Sequence, residues 1–239
     1  MIEAFIETSL EINDLDALIA SFRAALARIG FDRVTFALLS VHKGLGNHLA
    51  YPQIVFSDLP QSFLKDYSQK KLYVIDPLRA RVFISDRPFK WADVAARGLT
   101  KRQADFIAAI RDAGFYDGVS IPLRGPRGAV AVVGVASSEV RDAAPIVMTM
   151  ASLLAHQFYS SYLTMNRNSE EDTPIRLSSR EAEILQWCAV GKTRGEIAAI
   201  LGISTHTVNI HAASALRKFG TNKITVAAVE ALFRGLIQI

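Results

Sequence analysis

Cysteine is almost missing from this chain: Cys188 stands alone in 239 residues. One thiol cannot build an internal disulfide framework, so folding calls for no oxidising compartment. Long apolar runs are missing too, although half of the residues are hydrophobic. The longest, AVAVVGVA at 129–136, falls far short of the roughly 20 residues that a bilayer span requires. The opening MIEAFIETSLEINDLD is acidic and amphipathic, with neither the basic start nor the cleavage site of a signal peptide. These absences predict a soluble, cytoplasmic protein with no membrane partner. The signatures of common catalytic sites are also absent: no Gly-x-Ser-x-Gly elbow, no P-loop and no dinucleotide fingerprint. The pairs His42/His48 and His206/His211 are spaced wrongly for one helical face, and Cys188 sits in an amphipathic helical pattern where a core thiol is expected. No enzyme, metal site or cofactor is therefore expected. An enzyme acting on a small molecule stays open as a rival, to be decided by looking for turnover.

What is present is unevenly placed. The net charge is +4. From Pro174 onward eight Lys/Arg face four acids, so the whole positive excess falls in the last quarter, which suggests a polyanionic partner. Before it, MNRNSEEDTPIR is poor in apolar residues and carries three consecutive acids and a proline. It reads as a linker or as an ordinary loop. As a linker it predicts domains at 1–164 and 176–239 joined by 165–175. In the first, DLDALIASFRAALARIGF has helical spacing, RVTFALLS is strand-like, and GVSIPLRGPRGAVAVVGVAS reads as two strands around a turn. APIVMTMASLLAHQFYSSYL is a long apolar helix. The expected fold is an α+β domain, an α-β-α sandwich around an antiparallel sheet, followed by an all-α domain. In LYVIDPLRA, Asp76 followed by Pro77 predicts a helix start with Asp76 as N-cap.

The last segment holds four helices. SSRE and TRGE are capping boxes, Ser204 caps a third helix, and TVAAVEALFRGLI forms the fourth. On the third, Val208, Ala212, Ala215 and Phe219 share an inward face, while His206, Asn209, Ile210, Ala213 and Arg217 point outward. A helix, a tight turn and a second helix with a modest outer face suggest a helix-turn-helix. Small and amide side chains at its start suit base reading in the major groove. Thr205, Thr207, Lys192, Thr193, Arg217 and Lys218 stand at the edges as candidate DNA contacts, chiefly to phosphates. Spacing alone leaves a plain solvated helical hairpin equally open.

LSSREAEILQWCAVGKTRGEIAAILGISTHTVNIHAASALRKFG resembles the DNA-binding domain of LuxR-type transcription regulators, and the likeness runs to Ile239. Glu181, Leu185, Gly191, Ile197, Ala198, Thr207, Val208 and His211 fall on that pattern. The resemblance implies that Asn209 and Ala213 reach bases, Ala213 being smaller than the polar residues often found there. FLKDYSQKKLYVIDPLRARVFISDRPFKW resembles the autoinducer-binding domain of the quorum-sensing branch, through Tyr67, Asp76, Pro77 and Trp91, with Gly118 in GFYDGVSIPL. It implies an N-acyl homoserine lactone bound by Leu59, Phe63, Tyr67, Asp76, Trp91, Phe106, Ile110, Phe115, Ala136 and Ser137, with Asp76 accepting from the ligand amide. Where the family usually has a lactone-binding Trp this chain has Phe63, and where a Tyr often meets the amide carbonyl it has Leu59. A hydroxyl-bearing strand position is assigned to Ala136, with Ser137 beside it. By periodicity alone the aromatics are ordinary core residues, and a ligand other than a lactone stays open. The whole implies a homodimer on a palindromic promoter site, with contacts expected along 148–162 and 228–236.

Overall fold

A computed structural model describes residues 2–40, 52–139, 143–166 and 175–239. His42 and His48, and most of the expected linker (167–174), lie outside the described residues. Met165 is not linker: it is the last residue of a helix, which Asn166 caps. The chain divides into two units, the first reaching Arg167 and the second built chiefly from 168–239.

In the first unit, five antiparallel strands lie in the order β2-β1-β5-β4-β3. They are β1 (Arg33–Ser40), β2 (Gln53–Ser57), β3 (Phe89–Lys90), β4 (Tyr116–Arg124) and β5 (Val130–Ser137). Side chains alternate between the two faces of a strand, and β1 divides accordingly. Val34, Phe36 and Leu38 are buried, and Phe36 meets Phe158 edge-on at 5.1 Å. Phe158 belongs to the long helix α7 (Pro145–Met165) and stacks at 4.6 Å on Phe22 of α2 (Leu15–Ala27). Helix α1 (Ile2–Glu11) adds Phe5 to the same cluster. Each such ring contributes about 1.5–3 kcal/mol through burial, which makes this layer the mechanical base of the domain. Asp14 starts α2 by accepting from the Ala17 amide.

The opposite face of the sheet carries Thr35, Ala37 and Leu39 of β1 and Val132 and Gly134 of β5. Four shorter helices meet it: α3 (Gln61–Gln69), α4 (Pro77–Ile84), α5 (Trp91–Ala95) and α6 (Lys101–Asp112). The sandwich is thus α-β-α, but its second layer is assembled from short pieces that leave space inside.

The second unit contains α8 (Ser179–Ala189), α9 (Arg194–Leu201), α10 (Thr205–Phe219) and α11 (Ile224–Phe233). Both expected capping boxes form, at Ser178/Glu181 and Thr193/Glu196, and Ser204 accepts from the Thr207 amide. Gly202 and Gly220 end α9 and α10 in the left-handed conformation, which glycine adopts without a Cβ penalty. The last helix is shorter than the apolar pattern of 225–237 predicts. It stops at Phe233, Gly235 turns the chain with φ 68°, and the Leu236 amide donates back to Ala231 O at 2.8 Å. That turn tucks Ile237 into the core beside Leu185, Ala215 and Ala231. Among the described residues no helix is long and apolar enough to cross a membrane.

Candidate functional site

Between the sheet and the short helices lies a cavity enclosing about 100 Å³ that the centre of a water molecule can occupy. Its wall is apolar except at a few points. Leu59, Phe63, Tyr67, Asp76, Trp91, Phe106, Ile110 and Phe115 all line it, drawn together from five segments of the chain.

Asp76 is the most constrained of them. It is the N-cap of α4, with Pro77 at the first helical position, and its Oδ1 accepts from the amides of Leu78 (2.8 Å) and Arg79 (3.0 Å). Its Oδ2 accepts from the Tyr67 hydroxyl at 2.8 Å. Burial raises the Asp76 pKa above the ordinary carboxylate value, and the bonds from the Arg79 amide, Tyr67 and the Leu78 amide only partly oppose it. Burial likewise raises the Tyr67 phenol, and the neighbouring Asp76 charge adds to the effect, so Tyr67 stays a proton donor. Two donors occupy Oδ1 and one occupies Oδ2; since each carboxylate oxygen has two lone pairs, Oδ2 retains one acceptor site.

Trp91 contributes a face, not a donor. Its Nε1 donates to Ser120 Oγ at 2.9 Å, and the indole stacks on Phe115 with centroids 6.5 Å apart. Room for the indole comes from β4, where an irregularity in register lies between Tyr116 and Val119 and Asp117 adopts φ 42°. A Cβ on Gly118 would stand 2.4 Å from the Trp91 ring, well inside contact distance.

Two expected residues do not line the cavity. Ala136 is fully buried but belongs to the packed core next to it, and Ser137, on the opposite strand face, accepts from the Glu139 amide at 3.1 Å. On β5 the cavity is met by Val132 and Gly134 instead. The hydroxyls in the wall come from Ser120 and Thr35, the latter bonded to Ser57 Oγ at 2.6 Å. The sequence reading took Ala136 and Ser137 as the β5 lining where the cavity meets Val132 and Gly134, because an apolar strand of Val, Ala and Gly carries no internal marker of register. Arg79, also missed, lines the cavity as its one cation. Its place one turn after the N-cap could have flagged it.

In the second unit, His206, Asn209, Ile210, Ala213 and Arg217 are exposed on one side of α10, while Val208, Ala212, Ala215 and Phe219 are buried on the other. Thr205 opens the helix, and Thr207 Oγ1 shares a 2.8 Å bond with Ser204 Oγ. Arg194, not expected as a contact, donates to Asn209 Oδ1 at 2.9 Å. Thr193 donates its hydroxyl proton to Glu196 at 2.8 Å, so it serves α9 as a cap. Lys192 is exposed and 3.6 Å from Glu196. Lys218 has partners within its own unit. Its Nζ donates to Glu181 Oε2 at 2.6 Å and to Arg176 O at 2.9 Å. Glu181 is only 4% exposed. Burial pushes its pKa up, but bonds from Lys218, the Ser178 amide and Ser214 more than offset this and hold it down to about 2. Lys218 is therefore an internal tie between α10 and the start of α8.

Comparison with known proteins agrees with this division. Residues 14–162 match the model of the autoinducer binding domain, and residues 176–231 match that of bacterial regulatory proteins of the luxR family. The quorum sensing-dependent transcriptional regulator RpaR of Rhodopseudomonas palustris is 31% identical over 245 residues, covering 97% of this chain and 93% of its own. The transcriptional activator AhyR of Aeromonas hydrophila is 27% identical over 243 residues, covering 98% and 90%. The crystal structure of Escherichia coli SdiA shares the fold, with a TM-score of 0.68 at 21% identity, covering 100% of this chain and 98% of that one.

Proposed function

The chain belongs to the LuxR family of quorum-sensing transcription regulators, with an autoinducer-binding domain ahead of a helix-turn-helix, and from that premise we propose that it binds an N-acyl homoserine lactone in the cytoplasm and a palindromic promoter site as a homodimer. The observation that carries the ligand reading is the open acceptor site on Asp76 Oδ2 at the cavity wall. An amide N–H fills it with a charge-assisted bond, and the acyl chain lies against Phe63, Phe106 and Ile110. Ser120, whose Oγ already accepts from Trp91, still has a hydroxyl proton to offer the ligand carbonyl. It takes over the donor role that Leu59 cannot perform.

Asn209, Ile210 and Ala213 of α10 face bases, with Ile210 and Ala213 suited to thymine methyls, while Lys192 and Arg217 meet phosphates. One such helix covers too few base pairs for a specific site, and a two-fold dimer reads two half-sites about one helical turn apart. Ile146 and Leu153 of α7, 64% and 55% exposed, and Val229 of α11, 45% exposed, are the apolar side chains available to a partner copy. Ala228 and Ala231 are buried in their own core and unavailable. The test is titration of the full chain with a series of N-acyl homoserine lactones, read by thermal shift and by footprinting on selected DNA. The expected result is saturable stabilisation by a lactone and symmetric protection of two half-sites. Absence of any lactone response at micromolar concentration, or protection of a single half-site by a monomer, would overturn it.

A further inference from the structure

Outside the cavity the first unit carries a second, larger hollow. It is an open groove of about 410 Å³ between the end of α3, the turn Leu72–Val74 and α6. Its floor is apolar, made by Phe63, Leu72, Ile75 and Phe106, and all but Phe106 are only half-buried. Phe63 and Phe106, with ring centroids 6.0 Å apart, also line the inner cavity, so these two rings belong to both spaces. The rim has the opposite character. Lys70, Lys71 and Arg102 stand on it with a single acid, Asp105. Lys70 is engaged by Asp66 at 2.8 Å. Lys71 and Arg102 are exposed, and among the described residues neither side chain makes a hydrogen bond or ion pair. Lys71 also holds a left-handed backbone conformation, φ 52° and ψ 40°, at the bend that leads from α3 into the turn.

An apolar floor under unneutralised cations suits a molecule that brings an apolar body and an anionic head together. Burial against the floor favours the body, and charge-assisted bonds to an ammonium and a guanidinium favour the head. With the Lys70–Asp66 pair neutral, two cations stand against one acid. That balance fits a monoanion better than a phosphate monoester, whose charge is about −1.5 to −2. At water's share of roughly 30 Å³ per molecule, a groove of about 410 Å³ takes about a dozen non-hydrogen atoms, the size of a carboxylate on a chain of about ten carbons. We propose that this groove is a second small-molecule site, which takes a single-chain aliphatic carboxylate, its chain on Phe63, Leu72, Ile75 and Phe106 and its head between Lys71 and Arg102. The first unit then has two unlike sites, one enclosed around Asp76 and one open and cation-rimmed. The outer site is independent of what fills the inner one.

Decanoate and 1-decanol, alike in chain and different in charge, test this by calorimetric titration of the full chain below their aggregation concentrations. Decanoate is expected to bind saturably, one per chain and at least tenfold more tightly than decanol. The double variant Lys71→Gln/Arg102→Gln should weaken decanoate at least tenfold and leave decanol unchanged. Asp105→Asn, which removes the one repelling charge, should tighten decanoate severalfold. Lys101→Gln, an exposed cation beside the groove but not on its rim, should change nothing. If Lys71→Gln disturbs the bend, Arg102→Gln alone decides, with a loss of at least threefold expected. Absence of saturable decanoate binding overturns the proposal. Decanoate bound equally well by the double variant does so too, since the chain then lies in the inner cavity. An equal loss in Lys101→Gln reduces the effect to diffuse surface charge. Vesicles of phosphatidylglycerol held by the native protein and released by the double variant, with no binding of decanoate, replace the small molecule by a lipid surface and overturn it as well.

Discussion

Asp76 and Glu181 are buried carboxylates in the two halves of one chain, both placed at the start of a helix, and their surroundings push them in opposite directions. Glu181 closes a capping box, accepts from the Ser178 amide and is held by the Lys218 ammonium at 2.6 Å. Its pKa falls to about 2. Asp76 has two amides and a phenol, and burial raises its pKa. The first acid is finished by its own domain, and the second is left with an open acceptor site and, nearby, a guanidinium N–H of Arg79 without a partner among the described residues. A helix-turn-helix with complete polar partners is assembled before it meets DNA. A sensor whose cavity wall lacks partners gains them when its ligand arrives, and stabilisation by ligand follows mass action.

The largest effect is expected from Asp76→Ala, because one carboxylate serves cap, phenol and ligand. Loss of the cap costs about 0.5–2 kcal/mol, and a buried Tyr67 hydroxyl left unpaired costs about 1–3 kcal/mol more. Denaturant unfolding should place the first unit about 2–4 kcal/mol below the native protein, with no ligand response. Asp76→Asn separates these roles. Asn caps helices about as well as Asp, and its oxygen still meets the Leu78 and Arg79 amides. Its Nδ2 can donate to Tyr67, but it opposes a ligand N–H donor to donor. The domain should stay folded while the half-maximal response moves at least tenfold higher. An unchanged response in Asp76→Asn would confine Asp76 to capping.

Next comes Lys218→Met, which leaves Glu181 buried beside no cation. Removing one partner of a buried pair costs about 3–5 kcal/mol. Since the Lys218 side chain is 37% exposed, about 2–3 kcal/mol is expected, read as a lower melting temperature of the second unit. Acid provides an independent check. Glu181 has a folded pKa below its unfolded value near 4.5, so its stabilisation is complete above that pH and is lost as pH falls from about 4.5 towards 2. The raised Asp76 pKa acts with the opposite sign: protonation relieves its burial, and this contribution to stability improves as pH falls. What acid removes at Asp76 is the ionised acceptor, so the ligand dissociation constant should rise as pH falls through its raised pKa. Ligand binding that strengthens on acidification would contradict this assignment.

How legible each half was from sequence follows the same contrast. Capping boxes, glycine stops and the inward stripe Val208, Ala212, Ala215 and Phe219 are local signals, each decided within a turn or two, and they place the four C-terminal helices closely. The exception is the end of α11, where Leu236 and Ile237 continue the apolar pattern but return to the core through Gly235. The cavity is assembled from long-range register. Asp76, Tyr67 and Trp91 were readable through their resemblance, and Asp76 also through Asp-Pro. The β5 residues were not, because a slip of register along Val-Ala-Val-Val-Gly-Val-Ala costs no visible polar residue. For Lys218 the sequence offers no choice, because a basic residue near a helix end looks alike whether its partner is phosphate or, as in this structure, an acid 37 positions earlier.

Asn209→Ala tests the other consequence of a finished domain. Arg194 donates to Asn209 Oδ1, so the amide oxygen is engaged and the NH2 is the group left to donate to a base edge. With that group reading a base, Asn209→Ala should cost about 1–3 kcal/mol on the preferred site and little on random DNA. Arg194→Met should lose part of the same discrimination, since the amide is then free to flip. Equal weakening on both DNAs would show that Asn209 does not read sequence.

The smallest effect is assigned to Lys192→Ala, and it sets the lower end of the scale against Lys218→Met. Both are lysines paired with a glutamate, but the pairs differ in burial. Lys192 and Glu196 are 41% and 50% exposed at 3.6 Å, and solvent screening leaves such an exposed pair little effect on stability. Glu196 also keeps its bonds to the Thr193 amide and hydroxyl when Lys192 is removed, so the capping box survives. The melting temperature should therefore be nearly unchanged. On DNA the lost phosphate contact should weaken specific and random sequences alike and flatten the log–log salt dependence by about one unit. Lys218→Met should instead lower the melting temperature, and any variant molecules still folded should bind with the native slope. If the two substitutions change the salt slope equally, Lys218 reaches DNA after all and its tie to Glu181 is released in the complex.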